Sequence, residues 1–164
     1  METLEAIKKR VSVRGYLDKQ ITDADLDKVL KAGMQAPIGR GKYYDMHITV
    51  IQNKDFLEKI DNLTDRHIFY KAPTLIIVSA RDDGHGLDKE NSACVMENMT
   101  LAATDLGLGS IYLNLVIGLI KENKDILKEL HLEEGFVPIA ALGIGYIDGE
   151  VEPKDHSIEV TYIK

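Results

Sequence analysis

ENMTLAATDLGLGSIYL, residues 97–113, is the stretch that decides the fold class. Its first half continues a helical pattern that runs from Glu90 to Leu106, and Gly107 is suited to a left-handed helix cap. Residues 110–115 follow at once and predict a short strand. A long helix that leads straight into a strand indicates a mixed domain in which helices pack against a sheet.

Segments on either side of this stretch predict the rest of the sheet. The apolar runs TLIIVSA (74–80) and VPIAALGIG (137–145) are continuous, as expected of strands covered on both faces. MHITVIQ (46–52) predicts a further strand, and the alternating, β-branched tail at 158–163 predicts a last one. Further helices are expected at residues 3–9, after a capping pair of Thr22 with Asp25, from a cap at Asn53 through Ile60, and from Lys121 to Leu130.

These elements add up to an α+β fold with one central sheet and helices around it. The segment Ala36–Gly41 must be a loop, because its proline and glycines break the second helix. No repeat, low-complexity tract or linker interrupts the chain. A single domain over residues 1–164 is therefore the simplest account.

Composition and charge narrow the class of protein. The 164 residues carry a net charge of −7, with 45% hydrophobic and 29% charged residues, which is typical of a globular chain. An acidic chain is a poor default binder of nucleic acid, and no apolar run is long enough to cross a membrane. Cys94 is the only cysteine, which excludes an internal disulfide and fits a cytoplasmic location. We expect it to be a buried small residue and not a nucleophile.

Several common functional motifs are missing from the sequence. It contains neither a phosphate-binding G-x-x-x-x-G-K-[ST] loop nor a G-x-G-x-x-G fingerprint after a strand. No two histidines share helical i, i+4 spacing, so no metal site is predicted.

The stretch KRVSVRGY, residues 9–16, is the most informative about chemistry. Arg10, Ser12 and Arg14 alternate with valines, so in an extended segment all three side chains face the same side. Two guanidiniums and a hydroxyl on one face can bind a phosphate group. The alternative interpretation of such a basic cluster is a solvated surface.

KRVSVRGY resembles the Arg-x-Ser-x-Arg/Lys opening of the FMN-dependent nitroreductases, and three more stretches agree with that family in order and spacing. GMQAPIGRG (33–41) resembles the family's Ala-Pro-Ser loop. ENMTLAATDLGLGSIYL resembles its central helix and Gly-Leu-Gly-Ser turn. LGIGYIDGEVEPKDH (142–156) resembles its Gly-Tyr strand end and its Pro-Lys-x-Arg tail. From about residue 5 onward, the chain is identified as a small, shortened member of this family.

The resemblance implies a homodimer that holds FMN at its interface, with a mostly antiparallel sheet in each subunit. Arg10, Ser12 and Arg14 would hold the FMN phosphate and ribityl groups, and Lys154 and His156 would close on the phosphate. The other implied contacts are Pro37, Ile38 and Gly39 against the flavin of the other subunit, and Tyr112, Leu113, Asn114 and Leu115 beside the ring. The tail at 158–163 and apolar residues of the long helix, Met96, Met99 and Ala103, are expected to contribute to the dimer.

The resemblance implies an oxidoreductase with a ping-pong mechanism. NADH or NADPH delivers a hydride to FMN and leaves, and a nitroaromatic, quinone or similar conjugated acceptor then takes the electrons. No catalytic side chain is expected, because the flavin carries the chemistry.

Two departures from the family pattern bear on activity. The amide side chain usual near the ring is absent from residues 40–45, RGKYYD, and His156 stands where arginine is usual. Two alternatives therefore stay open: a flavin-binding carrier or redox sensor with little turnover, and a dimeric interaction module that binds no flavin.

Overall fold

The computed structural model describes residues 1–82 and 84–164. Its centre is a four-stranded sheet in the order β1-β2-β4-β3, with β1 at Met46–Ile51, β2 at Thr74–Arg81, β3 at Gly109–Leu113 and β4 at Phe136–Gly145. Every pairing between these strands is antiparallel, and one isolated parallel bridge joins Ser12 to Ser110. The predicted α+β class with a mostly antiparallel sheet is confirmed.

Helices surround this sheet, and their ends follow the local signals in the sequence. In the described residues they are α1 (Thr3–Lys9), α2 (Asp23–Met34), α3 (Lys54–Asp61), α4 (Asp88–Asp105), α5 (Leu115–Glu122) and α6 (Lys124–Glu129). The Thr22 hydroxyl accepts the Asp25 N–H at 3.1 Å, and the Asn53 side chain accepts the Phe56 N–H at 2.9 Å. Gly107 follows α4 with φ +73°, the left-handed conformation expected of its cap.

The sheet is covered on both faces, as the continuous apolar strands predict. Along β2, Leu75 and Ile77 pack into one core cluster while Ile76 and Val78 pack into the other, because side chains alternate across a strand. The first cluster includes apolar residues of α3, α5 and α6, and the second includes those of α2 and α4. All four of these β2 side chains are fully buried.

The region after β3 differs from the sequence prediction. The strand ends at Leu113 and not at 115, and one helix expected from Lys121 to Leu130 is two helices that meet at Asn123. The Asn123 side chain accepts the Asp125 and Ile126 N–H groups, which starts α6 anew. α5 went unrecognised because its run LVIGLI is apolar almost throughout, and periodicity cannot assign so short a run.

The tail at 158–163 forms no strand with the described part of its own chain, and Ile158 is 91% exposed, so the strand expected there would have to pair with another chain. Two other expectations need correction. Met96, Met99 and Ala103 are buried in the core beneath α4, so they offer no surface to a second subunit. Cys94 is only partly buried.

None of the helices in the described residues is both long and apolar enough to span a membrane.

Candidate functional site

The segment between α1 and α2 is extended and lies against the sheet. α1 ends at Lys9, and the next residue, Arg10, already has extended backbone angles of φ −60° and ψ 122°. The N–H of buried Val13 donates to the Ser110 carbonyl at 3.0 Å, beside the parallel bridge of Ser12 with Ser110. Val13 therefore enters the core, and its neighbours Ser12 and Arg14 are exposed.

The chain that leaves β4 passes close to this same segment. The Leu17 N–H donates to the Tyr146 carbonyl, Tyr16 forms an antiparallel bridge with Ile147, and the Asp148 N–H donates to the Gly15 carbonyl, the two hydrogen bonds each 3.0 Å long. Residues after 148 are thus directed toward residues 10–14.

Together the two segments form a cavity of about 320 Å³. Its lining residues are Arg10, Val11, Ser12, Arg14, Val151, Glu152, Lys154 and His156. All five side chains expected to bind a phosphate-bearing ligand therefore meet at one site. Sequence reasoning missed Glu152, although its spacing of two from Lys154 and four from His156 places all three on one side of an extended segment.

The basic side chains of this cavity are not neutralised by the protein. Arg10, Arg14, Lys154 and His156 form no ion pair with any residue that the structure describes. Glu152 is the one carboxylate in the lining. Three cations and an imidazole against one acid leave an excess positive charge, which favours binding of a small anion.

Tyr112 to Leu115 lie at the end of β3 and the start of α5. Leu113 is buried, while Tyr112, Asn114 and Leu115 are exposed, and partial burial raises the pKa of the Tyr112 hydroxyl. The parallel bridge of Ser12 with Ser110 makes the two segments run in the same direction. Arg14 and Tyr112 each follow their bridge residue by two positions, so they lie toward the same end of the site.

Pro37, Ile38 and Gly39 are not part of the basic cavity of their own chain. Ile38 is buried and lines a separate apolar cavity of about 430 Å³, while Pro37 is exposed. The Gly39 N–H donates to the Asn91 side chain at 2.9 Å, and a Cβ at Gly39 would lie 2.7 Å from Leu87 Cδ1. This loop is held firmly against the start of α4.

The described part of the chain offers no group of three or more His, Cys, Asp and Glu side chains that could hold a metal ion. One other residue that sequence reasoning missed lies beside the cavity: the Tyr70 ring is 5.8 Å from the Arg14 guanidinium carbon. Nothing in the local sequence around Tyr70 predicts this contact, because it joins distant segments.

Comparison with known proteins identifies relatives over nearly the whole chain. The family described as "Putative TM nitroreductase" matches residues 2–162. A protein of Archaeoglobus fulgidus, named "Putative NADH dehydrogenase/NAD(P)H nitroreductase", is 31% identical over 160 residues, which cover 94% of this chain and 87% of that protein. A protein of the same name from Methanothermobacter thermautotrophicus is 31% identical over 89% of this chain and 78% of its own length.

Solved structures agree with this relationship. A nitroreductase from Bacteroides fragilis with bound FMN superposes with a TM-score of 0.88 at 30% identity, and all of both chains is covered. A nitroreductase from Desulfitobacterium hafniense with bound FMN gives the same TM-score of 0.88 at 21% identity, again over both whole chains, which shows the shared fold.

Proposed function

Because this chain belongs to the nitroreductase family, we propose that it is an FMN-dependent NAD(P)H oxidoreductase that reduces nitroaromatic, quinone or similar conjugated acceptors. The observation that carries the proposal is the basic cavity between residues 10–14 and 151–156. Its cations have no carboxylate partner among the described residues, which leaves their charge available to a phosphate monoester.

The residues of the cavity fit the phosphate end of FMN. We assign Arg10, Arg14 and Lys154 as charged donors to the phosphate and ribityl groups, with Ser12 and His156 as further hydrogen-bonding partners. FMN suits this site better than FAD, because one cluster of cations matches one terminal phosphate and no dinucleotide fingerprint is present. The excess positive charge also attracts the anionic ligand before contact.

We place the flavin ring between two other groups of residues. Tyr112, Leu113, Asn114 and Leu115 would form its wall within the subunit, since they lie toward the Arg14 end of the cavity. Pro37, Ile38 and Gly39 would contact the flavin of a second subunit, which accounts for their position away from their own chain's basic cavity.

Bound FMN supplies the redox chemistry, accepting a hydride from NADH or NADPH and passing electrons on to the acceptor. The protein's own part is to bind FMN, to orient it and to balance its negative charge. No side chain is assigned as acid or base. In the proposed ping-pong order, the oxidised nucleotide leaves before the acceptor enters the same pocket.

We further propose that the protein is a homodimer. Four large apolar side chains of the tail, Ile158, Val160, Tyr162 and Ile163, are exposed in the single chain, and Ile163 is 98% exposed. An unpaired, alternating β-branched segment of this kind needs a partner surface. The tail would bind to a second copy of the chain. The cytoplasmic location expected from composition stays a prediction.

The deciding experiment is to identify the flavin and then measure turnover. The purified protein should contain or take up FMN, and it should oxidise NADH or NADPH faster when a nitroaromatic or a quinone is added. FAD alone, or no flavin after reconstitution, would contradict the cofactor assignment. FMN binding without acceptor-dependent oxidation of either nucleotide would favour the flavin carrier or redox sensor.

A further inference from the structure

Tyr70 contacts the proposed cofactor site without lining its cavity. Its ring centroid lies 5.8 Å from Cζ of Arg14, within the range of a cation–π contact. Nη1 of the same guanidinium also donates a hydrogen bond of 3.4 Å to the Ser12 carbonyl. Arg14 is exposed, and the Tyr70 ring and the Ser12 carbonyl are the contacts of its guanidinium among the described residues.

The backbone at Tyr70 is in a conformation that large side chains rarely adopt. Tyr70 has φ +55° and the next residue, Lys71, has φ +57°. Two consecutive residues with side chains in the left-handed region cost free energy, and such costs cluster at functional sites. A glycine or an asparagine would fit this backbone more easily than a tyrosine.

The surrounding loop holds Tyr70 in this conformation. Asp61, at the end of α3, accepts the Ile68 N–H at 3.2 Å and lies 2.7 Å from Nδ1 of His67. The Tyr70 N–H donates to the His67 carbonyl at 3.2 Å. Because Ile68 and Phe69 before Tyr70 and Ala72 after it are buried, the turn that presents Tyr70 is anchored on both sides.

Tyr16 supports the segment that carries Arg14. Tyr16 is largely buried, and its hydroxyl donates to the Val13 carbonyl at 3.1 Å. Burial raises the pKa of Tyr16. The positive charge of Arg14 lowers this pKa, and Tyr70 raises it. The Tyr16 hydroxyl therefore fixes the backbone of Val13, the residue next to Arg14.

We propose that Tyr70 is a positioning residue that holds the Arg14 guanidinium toward the anion in the basic cavity. This inference rests on the proposed FMN site. Tyr70 acts through Arg14: its ring limits the orientations of a flexible, exposed cation before the ligand arrives, which lowers the entropic cost of binding. The unfavourable backbone at Tyr70 is retained because it presents the ring at this point.

The test is a double-variant cycle on FMN affinity, measured by fluorescence titration of the flavin-free full-length protein. Tyr70→Asn removes the ring but suits the left-handed backbone, and it should weaken FMN binding about threefold to tenfold. Tyr70→Phe keeps the ring and should stay within about twofold of the wild-type affinity. Arg14→Ala should weaken binding by tenfold or more, on the order expected for a charge-assisted contact.

The combined variant separates positioning from a general structural effect. If Tyr70 acts through Arg14, adding Tyr70→Asn to Arg14→Ala should change the FMN affinity by less than about twofold. The melting temperature of Tyr70→Asn should equal or exceed that of the wild type, because the backbone conformation suits asparagine.

Other results would contradict either the proposed function or the role of Tyr70. A wild-type protein that binds no FMN would overturn the proposed function and this inference together. Wild-type FMN binding with an unchanged affinity in Tyr70→Asn would overturn the inference alone. Equal losses from Tyr70→Asn in the wild-type and Arg14→Ala backgrounds, or a loss in Tyr70→Phe as large as in Tyr70→Asn, would also overturn it alone.

Discussion

At the scale of single residues, the site depends on alternation in two short extended segments. Ser12 and Arg14 are directed outward because Val13, between them, is buried against β3. Glu152, Lys154 and His156 show the same spacing on the second segment and line the same cavity. Neither segment is a regular strand, yet each presents its polar residues on one side.

The first prediction at this scale concerns Arg10. Its guanidinium lines the cavity without an ion pair among the described residues, so Arg10→Ala should weaken FMN binding about tenfold to a hundredfold. Riboflavin, which lacks the phosphate, should bind the variant and the wild type about equally. Fluorescence titration with both ligands measures the difference.

Lys8→Ala is the matched control for this prediction, because Lys8 is an exposed cation of α1 that does not line the cavity. It should leave FMN affinity within about twofold of wild type, as expected of a screened surface charge. An equal loss in Lys8→Ala and Arg10→Ala would show that only overall charge matters, and an unchanged FMN affinity in Arg10→Ala would remove Arg10 from the site.

At the scale of elements, the close approach of the N-terminal segment to β3 depends on Gly109. A Cβ at this position would lie 2.9 Å from both methyl carbons of Val13 and 2.9 Å from Cγ1 of Ile147. Those two residues belong to the segments that carry the two sides of the basic cavity. The missing side chain at Gly109 therefore lets both segments sit directly on the strand.

Gly109→Ala should consequently disturb folding and binding together. We expect the free energy of unfolding to fall by about 1–3 kcal/mol, as for other overpacked positions, and FMN affinity to fall with it. Urea denaturation of the flavin-free protein and FMN titration measure the two effects separately.

Gly118→Ala provides the comparison, since Gly118 lies within α5 and a methyl group added there would have no atom of the described residues within 4 Å beyond its chain neighbours and the backbone of its own helix. Alanine favours the helix there and should raise the free energy of unfolding by about 0.4–1 kcal/mol, with no change in FMN affinity. A Gly109→Ala protein as stable as Gly118→Ala would refute the role assigned to the close approach.

At the scale of the whole molecule, the tail is the feature that a single chain leaves unexplained. Residues 157–164 lie entirely exposed, although their apolar side chains alternate as in a strand. α4, in contrast, has Val95, Met96 and Met99 buried in its own core, and its Leu101 is partly buried. If the protein is a dimer, the tail is therefore a more important source of apolar interface than α4.

Replacing Ile158, Val160 and Tyr162 by serine should therefore lower dimer stability and bound flavin together. The physical reason is loss of apolar surface from the proposed interface, at about 25 cal/mol per Å² removed from water. Light scattering gives the mass in solution, and flavin absorbance relative to protein gives the occupancy.

Glu159→Ala with Thr161→Ala changes the intervening tail residues and should leave both quantities near wild type. A wild-type protein that is monomeric at micromolar concentration with full FMN occupancy would refute the dimer, and with it the placement of Pro37 and Ile38 against a second subunit's flavin.

Much of the fold could be predicted because its signals are local. Thr22 and Asn53 cap their helices through atoms a few residues away, and the runs at 74–80 and 137–145 show their burial in composition alone. The strand expected at 158–163 stays a prediction, since a strand requires a second backbone for its hydrogen bonds and the described part of the chain itself does not supply one. The prediction was wrong for α5, whose short apolar run is ambiguous between helix and strand.

For the site, the sequence by itself determined which side chains share a face, because alternation along Arg10, Ser12 and Arg14 is a property of any extended backbone. Only the tertiary structure decided that Lys154 and His156 meet them in one cavity and that Tyr70 lies beside Arg14. Those meetings follow from the bridge of Tyr16 with Ile147 and from the anchored turn at Tyr70. The Tyr16–Ile147 bridge and the Arg14–Tyr70 contact both join segments far apart in the chain, and contacts of that kind are set by how the whole core packs and not by local pattern.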